Sequence, residues 1–153
     1  MTQEAAAERI NVSPRSVQKY ESGEQTPPPD LVARMAEAYA APWLHNWYCV
    51  NECPLGCGRN LPTEAMELQE AALLLGAVDN PQQLSQDARR LFQISLDRVI
   101  DDSEIDDYIA ITQRLGQLGY ASQVLAMVLE EHRLKTKYKN TPDRVGAQSG
   151  VGR

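Results

Sequence analysis

Apolar residues over the first forty positions recur in short bursts at helical spacing, separated by turn chemistry. A first helix is predicted from residue 3 to about residue 9, with Thr2 as N-cap and Glu4 in the first turn, where the helix dipole favours an acid. Asn11 tolerates the left-handed backbone that ends a helix sharply, so a tight turn follows. Ser13 then offers an N-cap, and Pro14 takes the first helical position, where its missing N–H costs nothing. This second helix runs to about residue 21 and stops at Gly23. Val17 and Tyr20 lie three apart and face inward, which leaves Arg15, Ser16, Gln18 and Lys19 on the opposite side or its flanks. Residues 24–29 end in three prolines and form a stiff, extended loop. Asp30 is the expected N-cap of a third helix reaching residue 39, whose Leu31, Val32, Met35, Ala36 and Tyr39 share one face and pack on the first two helices. Beyond a turn at Pro42, Trp43, Leu44, Trp47 and Tyr48 would add bulk to the same core.

From residue 61 onward the period stays helical, and no run alternates long enough for a sheet. One helix is predicted over about 63–75, with Ala65, Leu68, Ala72 and Leu75 on its stripe and Gly76 as its stop. Asn80 and Pro81 open the next in the N-cap and N1 roles, with Leu84, Ala88, Leu91, Phe92 and Val99 as its apolar face. Ser103 and Asp106 have capping-box spacing for a third, carrying Ile105, Tyr108, Ile109 and Thr112 and broken by Gly116 and Gly119. A fourth, over about 122–134, presents Val124, Met127, Val128 and Glu131. The expected fold is all-α: a unit of short helices at 1–42, a Trp- and Cys-containing connector at 43–60, a helical association or sensing unit at 61–135, and a basic disordered tail at 136–153.

Composition narrows the class. With 42% apolar and 24% charged residues, the 153-residue chain fits a soluble helical protein. No window approaches the ~20 apolar residues of a bilayer span. The opening MTQEAAAERI lacks a basic region followed by an apolar run, so a cytoplasmic location is expected. The net charge of −6 argues on its face against a nucleic-acid partner, but the acids crowd the middle of the chain. The end is basic, with Arg133, Lys135, Lys137, Lys139, Arg144 and Arg153; it reads either as a solubilising end or as added phosphate contacts.

The run TQEAAAERINVSPRSVQKYESGEQTPPPDLVARMAEAY, in a match covering residues 2–40, resembles the XRE, or lambda-repressor-like, helix-turn-helix family. The resemblance implies that the second helix of the pair enters the major groove with Pro14, Arg15, Ser16, Gln18 and Lys19 facing it, and that Gln3 contacts a phosphate. The chemistry suits those places. Arg15 can pair with guanine in bidentate fashion and Gln18 with adenine; Ser13 and Ser16 offer hydroxyls at the helix start, and Lys19 a charge for phosphate. The resemblance also implies a basic helix just before TQ, whose arginine commonly pairs at the position of Glu21. Here the sequence opens at TQ, which leaves three alternatives: a truncated start, a later helix in that place, or loss of DNA binding.

Between residues 45 and 57, His45, Cys49, Cys53 and Cys57 recur every fourth residue. Three thiolates and an imidazole can hold zinc, but structural zinc sites usually bring ligands as two separated pairs. Pro54 and Gly56 should end a helix near Cys53 and put Cys57 on a loop that folds back. The other reading is three ordinary thiols and a histidine beside two tryptophans, with no cofactor. The acids from Asp97 to Asp107 lack the central glycine and terminal glutamate of a calcium loop. No phosphate loop, nucleophile elbow or H-E-x-x-H motif suggests an enzyme. The reading is a sequence-specific, double-stranded-DNA-binding transcriptional regulator, a phage-type repressor acting as a homodimer. The alternatives are a protein-interaction module derived from such a regulator and a metal- or redox-responsive switch.

Overall fold

A computed structural model of the chain describes residues 1–56 and 59–139. Among them there are seven helices and no strand, so the all-α expectation holds. The chain divides into two compact units: Met1–Pro42 with the end of the chain from Leu129, and Trp43–Val128.

The first unit is built from local chemistry outward. Helix α1 spans Gln3–Ile10, and Thr2 caps it by accepting the Ala5 N–H at 3.3 Å. Asn11 ends it in the left-handed region at φ 57°, and the Val12 N–H returns to the Ala7 carbonyl at 3.0 Å. Helix α2, Pro14–Glu21, starts on Ser13, whose hydroxyl accepts the Ser16 N–H at 3.1 Å. Gly23 follows at φ 74°, a conformation that glycine adopts without strain. Helix α3 spans Pro29–Ala38 and starts two residues earlier than expected, at a proline. Asp30 therefore lies inside the first turn instead of capping it, where the dipole still favours its charge and Arg34 pairs with it at 3.1 Å.

Ala6, Ala7, Ile10, Val17, Leu31, Val32, Met35, Ala36 and Ala38 are all buried, and Val17 on α2 and Leu31, Val32, Met35 and Ala36 on α3 are positions the pattern selected, while Tyr20 and Tyr39 are half-buried. Alanine at 6 and 7 lets the helices approach closely. Two arginines tie the backbone: Arg34 donates to the Ile10 carbonyl at 2.8 Å, and Arg9 to the Ala38 carbonyl at 3.3 Å. Each satisfies a carbonyl that the end of a helix leaves without a partner. The end of the chain, from Leu129, is part of the same unit. Tyr138 stacks its ring 4.5 Å from the Arg9 guanidinium, and Lys137 pairs with Glu37.

In the second unit, helix α4 spans Trp43–Asn51, and none of its residues is fully buried. Trp43, Leu44, Trp47 and Tyr48 thus do not extend the first core, which closes without them. Asn46 donates to the Pro62 carbonyl at 2.9 Å. Helix α5, Leu68–Val78, begins about five residues later than predicted and runs through Gly76. Ala71 is its buried residue; of the predicted stripe, Leu68 and Ala72 are exposed, Leu75 is half-buried and Ala65 precedes the helix. Helix α6, Pro81–Ile94, starts as expected on Asn80, which accepts the Gln83 N–H at 3.1 Å. Its buried positions are Asp87 and Ile94, whereas Phe92 and Val99, read as apolar face, are 68% and 61% exposed. An aspartate at the centre of the buried face is what misdirects the pattern.

Helix α7 is one helix, Ile105–Lys139, where two were predicted. Gly116 and Gly119 do not break it. Each costs ~1 kcal/mol against alanine, too little to interrupt a helix fixed by Ile111, Ala121, Val124 and Met127 in the core. Its start is organised by Asp101, not Ser103: one Asp101 carboxylate oxygen accepts the Ser103 N–H at 2.7 Å, the Ser103 hydroxyl at 2.6 Å and the Glu104 N–H at 3.1 Å. The helix continues to Lys139, so residues 136–139, expected in a disordered tail, are helical; the rest of that tail, with Arg144 and Arg153, lies outside the described residues.

Candidate nucleic-acid interface

Helix α2 is held from below and open above. Val17 is fully buried, and α2 packs on α1, while Arg15 and Gln18 are exposed. Pro14, at the first position, asks for no hydrogen bond, and Ser13 spends its acceptor on the Ser16 N–H. The Ser13 and Ser16 hydroxyls are 2.8 Å apart, so one donates to the other and their outward chemistry is shared. Arg15 makes no ion pair among the described residues. Lys19 is different: its ammonium is 2.9 Å from Glu24, so a phosphate would have to draw it off a carboxylate.

Gln3, at the start of α1, donates its side-chain amide to Glu21 at 2.8 Å. Glu21 also accepts the Tyr39 hydroxyl at 2.9 Å. The carboxylate is therefore met by two neutral donors, the ends of α1 and α3 meeting the end of α2. Burial, followed by the hydrogen bond to Glu21 and its charge, pushes the Tyr39 hydroxyl up to about 12, so it stays protonated and keeps donating at neutral pH. Sequence reasoning passed over Arg9 and Arg34, the cations that fix α3 against α1; the available signal was Arg9 in the last turn of α1, where the dipole favours a cation.

The cysteine segment is less assembled. His45 and Cys49 lie on α4, and Cys53 lies two residues past its end. Gly56 folds back against the Cys49 carbonyl, so close that a side chain at 56 could not fit beside it. Cys57 lies outside the described residues, and among the described ones no group of three His, Cys, Asp or Glu side chains is placed to hold a metal.

Two short helices joined at a left-handed asparagine, the second offering polar side chains above a buried valine, define a helix-turn-helix unit. Residues 1–43 match the family model described as Helix-turn-helix, and this segment is an XRE-type helix-turn-helix of the kind found in DNA-binding regulators. No curated protein and no solved structure matches the chain. Among the described residues no helix is long and apolar enough to cross a membrane.

Proposed function

We propose that the chain is a sequence-specific DNA-binding transcriptional regulator that acts as a dimeric, phage-type repressor. The observation that carries the reading is the two-sided build of α2: Val17 buried beneath, Arg15 and Gln18 exposed above. Arg15 reads guanine through its two-pronged guanidinium, Gln18 reads adenine, and Ser13, Ser16 and Lys19 set the helix against the backbone, with Gln3 at a phosphate. Dimerisation has a geometric motive, because one head of this size spans few base pairs and two heads related by a two-fold axis sit about 34 Å apart on the duplex.

The test is selection of a preferred duplex from a random pool, followed by anisotropy titrations with wild type and Arg15→Ala. Arg15→Ala should lose about 1–3 kcal/mol on the preferred site and far less on random duplex. Equal loss on both would remove Arg15 from base reading, and absence of any preferred duplex would end the proposal. Light scattering at micromolar concentration checks the dimer, which a mass of one chain with and without the duplex would exclude.

A further inference from the structure

The first unit contains a cavity of about 580 Å³ with Arg9, Glu21, Tyr39, Lys135 and Tyr138 in its wall. That volume falls within the range of small-molecule sites. Arg9 is held in place there without being neutralised. One of its N–H groups donates to the Ala38 carbonyl at 3.3 Å and its plane lies 4.5 Å from the Tyr138 ring centre; no carboxylate pairs with it among the described residues. A guanidinium has five N–H donors in a fixed fork, so an arginine anchored by one of them keeps donors for an incoming oxyanion. Lys135 adds a second cation but is already paired with Glu131. Glu21, opposite in sign, is engaged by Tyr39 and Gln3. The wall thus combines a guanidinium with no carboxylate partner among the described residues, two phenol rings and a hydrogen-bonded carboxylate.

The geometry points to a binding site for a small organic monoanion with a flat apolar body, its carboxylate on Arg9 and its ring against the tyrosines. Glu21 limits the charge that the cavity accepts, so a dianion is disfavoured, and the rings reward an aromatic body over a compact ion. Because the wall takes residues from the ends of α1, α2 and α7 and from Tyr39 just past α3, occupancy would bear on how α2 is held; this regulatory consequence rests on the DNA-binding reading, whereas the site itself does not.

The experiment is a titration of the full-length chain, without DNA, using 2-naphthoate, with acetate and benzyl alcohol as probes of charge alone and ring alone, followed by amide and arginine side-chain NMR. Naphthoate should saturate one site, with shifts centred on Arg9, Tyr39 and Tyr138, and both controls should bind about ten-fold more weakly or worse. Arg9→Gln should weaken naphthoate by roughly ten-fold. Tyr138→Leu should also weaken it, which keeps the test decisive if the first variant unfolds. No saturation at millimolar naphthoate, shifts centred elsewhere, or unchanged affinity in a folded Arg9→Gln protein would overturn the site. The same ligand is then added to the duplex titration: a changed affinity for the preferred site supports the regulatory link, and an unchanged one removes it while leaving the site standing. If no duplex is preferred at all, the function reading fails and the binding result is unaffected.

Discussion

At the scale of single residues, the strongest structural statements concern polar groups whose partners are few and fixed. Ser13 holds the first turn of α2 through one hydrogen bond, so Ser13→Ala should cost about 1 kcal/mol of first-unit stability in urea unfolding. Asp87 carries more. Its residue is 4% exposed, and it accepts two bonds from Arg114, at 2.8 and 2.6 Å, and one from Gln83 at 2.9 Å. These bonds, Arg114 first, hold its carboxyl below the ordinary value of 3.8, against the opposing effect of burial. A depressed native value means that the unfolded chain takes up the proton more readily. The stabilisation is complete above the ordinary value and is lost as pH falls through the native one. Thermal unfolding followed from pH 7 down to pH 2 should therefore lose stability below about pH 4, with a shallower loss in Asp87→Asn. Asp101, held down by Ser103 with the same sign, should keep the variant's profile from becoming flat. Arg114→Ala should destabilise more than Arg90→Ala, because it leaves a buried carboxylate, whereas the Arg90 partner, Asp107, is 56% exposed. Equal losses would mean that burial of Asp87 does not set the energy.

At the scale of elements, what could be read from sequence divides by the range of the forces involved. The caps Thr2, Ser13 and Asn80 and the left-handed Asn11 were legible because each acts on backbone within four residues of itself. The buried positions Val17 on α2 and Leu31, Val32, Met35 and Ala36 on α3 were legible too, since aliphatics, a methionine and an alanine fill them without a charged residue. In the second unit the signal failed more often, and two of the failures trace to packing with distant partners. The inward face of α6 is centred on Asp87, whose charge is met chiefly by Arg114, 27 residues away. The glycines of α7 are local stop signals that the packing of Ile111 and Val124 overrides. Of the interface, the exposed side of α2 was legible, but not the pairing of Lys19 with Glu24 or of Gln3 with Glu21. The glycine account can be checked directly. No atom lies within 4 Å of a side chain added at Gly116 or Gly119, so Gly116→Ala and Gly119→Ala should each raise stability by about 0.5–1 kcal/mol in chemical denaturation. Destabilisation by either would mean that the helix needs flexibility there. Gly56→Ala should behave oppositely and destabilise, because its added carbon meets the Cys49 carbonyl.

At the scale of the whole molecule, charge decides how DNA binding must look if it occurs. The chain carries −6, and the cations of the first unit are partly committed: Lys19 to Glu24, Arg34 to Asp30 and the Ile10 carbonyl. A head with so few available cations releases few counterions, and each phosphate contact contributes about −0.9 to the slope of log affinity against log salt. Two to four contacts per head give a slope of about −2 to −4, and a two-headed complex about twice that. The acidic remainder acts in the other sense. At ~0.01 M salt the screening length is about 30 Å, so its repulsion of the duplex is felt; at 0.1 M it falls to about 10 Å and the repulsion fades. The plot should therefore flatten or turn over at the lowest salt instead of rising in a straight line, as it would for a basic protein. Anisotropy titrations from 10 to 300 mM salt, on duplexes carrying one or two copies of the preferred site, read both quantities. A doubled slope on the two-site duplex would indicate paired heads, a single slope on both would indicate independent ones, and a slope near zero on both would mean that phosphate contacts are not what holds the complex together.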